Sequence, residues 1–108
     1  MIAILIAQLL IFIVCASISA QPIGKVDINK DQKVVKSRFT TLTINAKDDN
    51  GIKRMCVSNT DTCNSWQGYE RDIFWVFPEG NGVKTVHVWT EDMAGNVSHT
   101  TDYIRLEE

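Results

Sequence analysis

The sequence predicts an all-β domain, built as a sandwich of about seven short antiparallel strands. Apolar and polar residues alternate with a period of two in several runs after the first 24 residues, which is typical of half-buried strands. Clusters of Gly, Asn, Asp and Pro separate these runs at regular spacing. No run in this part of the chain repeats apolar residues at helical spacing. Short strands with regular turns favour a sandwich, with a closed barrel as the alternative.

The first 20 residues form a chemically separate segment, which we predict as a hydrophobic helix preceding the domain. All 11 basic and 13 acidic residues of the 108-residue chain lie after Gly24, whereas the run 2–16 is almost wholly apolar. The small residues that end at Ala20 fit a signal-peptidase site. We therefore predict a signal peptide or N-terminal membrane anchor over residues 1–20 and one domain over residues 21–108.

Two alternatives to a cleaved signal remain for this segment. The apolar run is near the short end of the roughly 17–25 residues that span a bilayer, so an uncleaved segment could anchor the chain. Lipid attachment at Cys15 is the other alternative, although Val14 stands where a small residue is preferred. In each case the domain is secreted or at the cell surface, and it contacts membrane only through residues 2–20 if these stay uncleaved.

The cysteine count predicts a disulfide in the exported domain. Without Cys15, two cysteines remain, Cys56 and Cys63, and an even number in an extracytoplasmic domain favours pairing. Zinc is a poor alternative, since no further ligands lie nearby at the usual spacing. Two free thiols are the other reading of the same pair.

The predicted strands follow directly from the alternation. In order they cover residues 25–29, 39–46, 52–58, a short edge piece at 66–70, 72–77, 84–92 and 97–106, with a polar connection at 31–36. The clearest case is 39–46, where Leu42 and Ile44 share one face and Thr41 and Thr43 the other.

The strand 84–92 places an aromatic pair on the solvent side. Val86 and Val88 lie on the inward register, so His87 and Trp89 point outward. If the following turn closes a hairpin, His99 lies beside Trp89 and His87 lies beside Thr101 or Asp102. An outward tryptophan next to a histidine is a candidate binding face.

Three residues at the end of this strand are predicted as structural turn residues. Asp92 falls on the inward register, where an unsatisfied charge is costly, so its carboxylate should accept hydrogen bonds from the turn. Gly95 should supply a positive φ there, and Asn96 is assigned the same role.

The order of the motifs resembles one known family. They are LTINAKD at 42–48, GIKRMCVSN at 51–59, Trp66 and Tyr69, Trp75, GNGVKTVHV at 80–88, DMAGNVS at 92–98 and DYI at 102–104. Together they resemble the bacterial and archaeal Ig-like (fibronectin-III-like) domains of cell-surface and secreted proteins, over about residues 25–108. The resemblance implies a non-catalytic, extracytoplasmic module with a structural or adhesion-type role.

Catalysis is not predicted. The nearest approach to a hydrolytic triad is Ser98, His99 and Asp102, but adjacent residues of a strand point to opposite faces. The base therefore cannot reach the hydroxyl group. We expect no catalytic residue and no cofactor.

Metal binding is also not predicted. Asp27, Asn29 and Asp31 stand at alternate positions as at the start of an EF-hand, but Gln32 replaces the required glycine and Arg38 the required glutamate. Asx turns explain such residues equally well. A transition-metal ion on His87, His99 and Asp102 is the other candidate. We expect no metal site from either set.

The charge of the chain bears on the kind of partner it binds. A formal charge of −2 without a basic stripe argues against nucleic acid, so we expect an unknown protein or glycan at the cell surface. The aromatic residues Trp66, Tyr69, Trp75 and Trp89 suggest a carbohydrate-binding accessory module as the alternative function. The Asn96-Val97-Ser98 triplet is a glycan acceptor in some secreted proteins, although a turn is the simpler interpretation.

Overall fold

Eight strands form two sheets in the computed structural model, which describes residues 22–49 and 51–108. The strands are β1 (Ile23–Ile28), β2 (Val34–Val35), β3 (Phe39–Lys47), β4 (Ile52–Ser58), β5 (Gln67–Gly68), β6 (Asp72–Val76), β7 (Gly82–Asp92) and β8 (Val97–Leu106). The helix predicted for residues 1–20 lies outside the described residues. Within the described part, no helix has the length and apolar character to cross a membrane.

The two sheets pack face to face as the sequence predicts for a sandwich. Sheet A has the order β1-β3-β6, and sheet B has the order β2-β8-β7-β4-β5. The inward residues of both sheets make one apolar core. Its buried members are Val26, Ile28, Val35, Leu42, Ile44, Met55, Phe77, Val86, Val88, Ile104 and Leu106.

One predicted connection is instead a strand. Residues 31–36 were expected to be a polar link, but β2 pairs in parallel with the end of β8, so not every pair is antiparallel. Val35 is only 5% exposed, and Arg105 N donates to Lys33 O at 3.2 Å. Strand β2 has two residues and buries one of them, Val35. A segment this short cannot show an alternation with a period of two.

Tyr69 ties the edge of sheet B to sheet A. Its hydroxyl donates to Ile44 O at 2.6 Å and accepts from Ala46 N at 3.4 Å. Both partners lie on β3, whereas Tyr69 follows β5. Trp75 packs against the core from β6, and its indole N–H donates to Asn59 Oδ1 at 2.9 Å. Through these hydrogen bonds, the two aromatic residues attach the polar segment between β4 and β6 to the sandwich.

Candidate functional site

The outward side of sheet B, away from the core, carries an aromatic and histidine cluster. The β7–β8 register pairs Trp89 with His99 and His87 with Thr101. This register agrees with the predicted hairpin, which placed His99 beside Trp89 and left Thr101 or Asp102 as the neighbour of His87. The β4–β7 register adds Cys56 opposite Trp89.

Three rings make up this cluster, which we call the His–Trp cluster: His87, Trp89 and His99. The rings of Trp89 and His99 have centroids 4.5 Å apart with planes 7° from parallel. His87 lies 5.9 Å from Trp89 and 5.2 Å from His99, between ring centroids. His87 Nδ1 and His99 Nε2 are 3.0 Å apart, which is hydrogen-bond distance. One face of the indole is thus covered by the His99 imidazole.

A disulfide borders the His–Trp cluster. Cys56 and Cys63 are bonded, with Cα atoms 5.9 Å apart. Cys56 alternates with the core residue Met55, so it points away from the core, yet it is fully buried. The bridge holds the polar loop after β4 against the outward side of sheet B.

An ion pair continues the same face beyond Trp89. Arg54 Nε donates to Glu91 Oε1 at 2.6 Å, and the Arg54 guanidinium lies 4.3 Å from the Trp66 ring centre. The hydrogen bond from Arg54 lowers the pKa of Glu91 below its ordinary 4.5, against a smaller raising effect of burial. Glu91 is therefore charged and engaged, which leaves it unsuited to act as an acid or base catalyst.

Asp92 organises the turn between β7 and β8. Its side chain is 0% exposed, and its Oδ1 accepts from Ala94 N at 2.9 Å and from Asn96 N at 2.8 Å. Burial raises the pKa of this carboxyl, but hydrogen bonds from the Asn96 side chain and from the turn backbone outweigh burial and lower the pKa below 3.8. Asp92 is a structural anion rather than a reactive one.

The glycine and asparagine of this turn have different roles. Gly95 has a φ of 89°, the left-handed region that favours glycine. Asn96 was expected to share that conformation and does not, since its φ is not positive. Instead, its amide donates to Asp92 Oδ2 at 3.0 Å. The amide nitrogen that a glycan would need is thus already held in the turn.

The fold groups the candidate metal ligands differently from the two sets considered in the sequence. Asp102 does not join the histidines, because it pairs with Val86 on the inward register and accepts from Ile28 N at 3.2 Å. It lies instead near Asp27 and Asp31, with carboxylate oxygens of the three within 4.8 Å of one another. The sequence could not show this neighbour, which comes from β8.

The EF-hand-like order of ligands does not persist in this loop. Asn29 Oδ1 accepts from Thr41 N at 2.8 Å, so the side chain closes the loop onto β3. Asn29, Lys30 and Asp31 all have positive φ. Lys25 Nζ is 3.5 Å from Asp27 Oδ1 and supplies a positive charge beside the carboxylates.

A second surface was missed by the sequence prediction. The outward side of sheet A, at the β3–β6 edge, exposes Phe39, Phe74 and Val76, which we call the phenylalanine patch. Phe74 is 84% exposed, and the Arg38 guanidinium lies 5.0 Å from the Phe39 ring centre. The sequence does contain a signal for this surface: Phe74 alternates with the inward residues Ile73 and Trp75, so its side chain points outward.

The strand order and the shared core define an Ig-like β-sandwich. The class is supported by solved structures with the same fold. The chain is similar to the PKD1 domain of Vibrio anguillarum Epp, with a TM-score of 0.61 and 14% identity over 82% of this chain and 96% of that one. It is also similar to the PKD1 domain from the Vibrio cholerae metalloprotease PrtV, with a TM-score of 0.62 and 13% identity over 82% of this chain and 100% of that one.

At this level of sequence identity, the two structural similarities define the fold of the chain and not its family or its role. No protein-family model matches the chain. No curated protein matches it either. The fibronectin-III-like character suggested by the motifs therefore stays a prediction, whereas the Ig-like sandwich is confirmed.

Proposed function

We propose that this chain is a non-catalytic, extracytoplasmic Ig-like module with a structural and adhesion-type interaction role. The observation that carries the proposal is the phenylalanine patch on the edge of sheet A. Large apolar side chains exposed together on a soluble domain mark surfaces that contact other proteins. Within the described residues, β6 is also the last strand of its sheet, which leaves an edge to which a partner strand can add.

The extracytoplasmic location is supported by the disulfide. Such bonds persist in oxidising compartments and are rare in the cytosol. The hydrophobic first 20 residues point the same way. N-terminal sequencing of the mature protein should begin at Gln21 if the segment is a signal peptide, while retention of Met1 in the membrane fraction would indicate an anchor.

A structural role agrees with the kind of protein in which this fold is found. PrtV is a metalloprotease that carries a PKD1 domain, so there the sandwich is one part of a longer protein. The same use fits this chain. A module of this kind would hold a neighbouring domain or protein by surface contact.

Site-specific photo-crosslinking tests the proposal. A photoreactive phenylalanine is placed at Phe74 and, as the matched control, at Tyr103, which is 71% exposed on sheet B. We expect a discrete crosslinked species in the exporting cell from position 74, lost when Phe39→Ser is added. A product at position 103 alone, or none at 74, contradicts the proposed surface.

Carbohydrate binding is the second candidate, favoured by the His–Trp cluster. Trp89 is half-buried and offers a ring on the outward side of sheet B, although His99 covers one of its faces. A sugar would have to stack on the free face or displace His99. Binding on a glycan array that disappears in Trp89→Ala would support this candidate, and an array without signal would remove it.

A further inference from the structure

The chain has two histidines, and the fold brings both to one point. His87 and His99 lie on different strands, diagonal to each other across the β7–β8 pair. Their nearest ring nitrogens are 3.0 Å apart. Neither the Ig-like fold nor the proposed contact surface on sheet A requires this contact.

We propose that His87 Nδ1 and His99 Nε2 form a two-imidazole chelate for a borderline transition-metal ion, with Cu²⁺ as the best fit. Imidazole nitrogen is a preferred ligand of copper, nickel and zinc, and Cu²⁺ binds such ligands more tightly than Ni²⁺ or Zn²⁺ does. Water fills the remaining positions, because His99 is exposed and His87 only half-buried.

The nitrogen separation suits a chelate. Imidazole nitrogens bind Zn²⁺ at about 2.0–2.1 Å, so two of them at tetrahedral or square angles stand roughly 3 Å apart. Here the separation is 3.0 Å. The two ring centres are 5.2 Å apart, which exceeds the nitrogen separation by about twice the distance from a ring centre to a ring atom. The two rings therefore meet edge to edge, with both nitrogens facing the gap between them.

Little has to move for an ion to enter. One imidazole N–H now points into the gap, and a shift to the other neutral tautomer frees that lone pair without a change of charge. The proton is then on the far nitrogen of the same ring, and both facing nitrogens have a lone pair for the metal. An ion about 2.0–2.1 Å from both nitrogens lies to one side of the line between them. Rotation about the Cβ–Cγ bonds, which are soft torsions, turns the lone pairs toward that position.

The surroundings hold both rings in place. Trp89 stacks against His99 and lies beside His87, and the disulfide anchors β4 opposite Trp89. Such packing lowers the ordering cost of the ligands when the ion binds. The Trp89 stack also places a fluorescent reporter beside the ion.

The three clustered carboxylates lie elsewhere on the domain and prefer a different class of metal ion. The carboxylates of Asp27, Asp31 and Asp102 offer oxygen alone, which suits hard cations. Asp102 lies on the inward register of β8, and His99 lies on the outward one. An Asp31→Asn variant therefore distinguishes the two locations without touching the histidines.

The test titrates the full-length chain, without a polyhistidine tag, with CuCl₂ and follows tryptophan fluorescence. We expect saturable quenching by one ion per chain, and electron paramagnetic resonance should show two nitrogen ligands. His99→Gln should weaken the affinity by at least about tenfold, since even the loss of an outer-shell partner costs that much. The double variant His87→Gln/His99→Gln should lose binding, and Asp31→Asn should bind as the wild type does.

The proposal is overturned by any of these results: no saturable quenching by the wild type, wild-type affinity in the double variant, or loss of binding in Asp31→Asn. Circular dichroism checks that each variant is folded. If the double variant does not fold, His99→Ala decides, because the resonance spectrum must then show one nitrogen instead of two. Two nitrogens in that variant also reject the chelate.

Discussion

The outward sides of the two sheets use aromatic residues in opposite ways. On sheet B, Trp89 stacks on His99, and Trp66 lies over Arg54. On sheet A, Phe74 is 84% exposed. The same period of two generates both faces, so alternation alone does not tell whether an outward ring has an internal partner. Internally partnered rings rigidify a domain, whereas an unpartnered one is available to another molecule.

The largest expected effect concerns the disulfide of sheet B. Replacing Cys56 and Cys63 together by Ala should lower the free energy of unfolding by roughly 2.5 kcal/mol, from the entropy of the short loop they close. The melting temperature should fall by about 10–20 °C. Urea denaturation measures the loss, and reductant added to the double variant should have no further effect. Equal stability of the two proteins would contradict this prediction.

The next effect concerns the turn between β7 and β8. Asp92→Ala leaves the turn N–H groups of Ala94 and Asn96 without their acceptor, and both bonds are partly shielded from water, so their loss is costly. We expect the melting temperature to fall by about 10 °C. The neighbouring Glu91→Ala is the matched control and should have a much smaller effect, because that ion pair lies partly in solvent. A larger loss of stability in Glu91→Ala than in Asp92→Ala would contradict the structural role assigned to Asp92.

A paired replacement compares the two outward faces directly. Trp89→Ala should lower the free energy of unfolding by about 1 kcal/mol, since a stacked pair of rings is lost. Phe74→Ala should change it by less than about 0.5 kcal/mol, as for other exposed residues. Thermal denaturation of the two variants side by side gives the result. A more destabilising Phe74→Ala would mean that the phenylalanine patch is packed rather than free.

The smallest effect is on acid stability. The pKa of Asp92 is lowered on folding, so its stabilisation is complete above the unfolded value near 3.8 and is lost as pH falls through the lower folded value. The gap in melting temperature between wild type and Asp92→Asn should therefore be constant from about pH 7 to pH 5 and narrow by a few degrees near about pH 3. If the difference in melting temperature does not narrow in acid, the negative charge of Asp92 does not contribute to stability.

The sequence predicted most of the fold because long alternating strands carry their own pattern. Leu42 and Ile44 on β3, and Val86 and Val88 on β7, are all buried at the predicted positions. The hairpin register that brings His99 to Trp89 followed from the position of one turn. Strand β2 was missed, because its burial depends on one valine docking beside a strand that lies far along the chain.

The candidate surfaces were less accessible to sequence reasoning. Trp89 was placed outward, but its stacking on His99 depends on side-chain torsions that no pattern encodes. Asp102 joins Asp27 and Asp31 only because β8 packs beside β1. The phenylalanine patch needs the position of β6 at an edge, which the order of the strands in the sheet decides.

The short strand β2 has a mechanical consequence. It runs parallel to β8, and its hydrogen bonds join Lys33 O to Arg105 N and Val35 O to Glu107 N. A tension that pulls the chain before β2 one way and the chain after β8 the other way slides these parallel strands past each other. Both bonds are then loaded at once in shear instead of opening one after the other. Since β1 lies ahead of β2 and pairs with β3, this shear contact resists the pull once β1 has been released from sheet A.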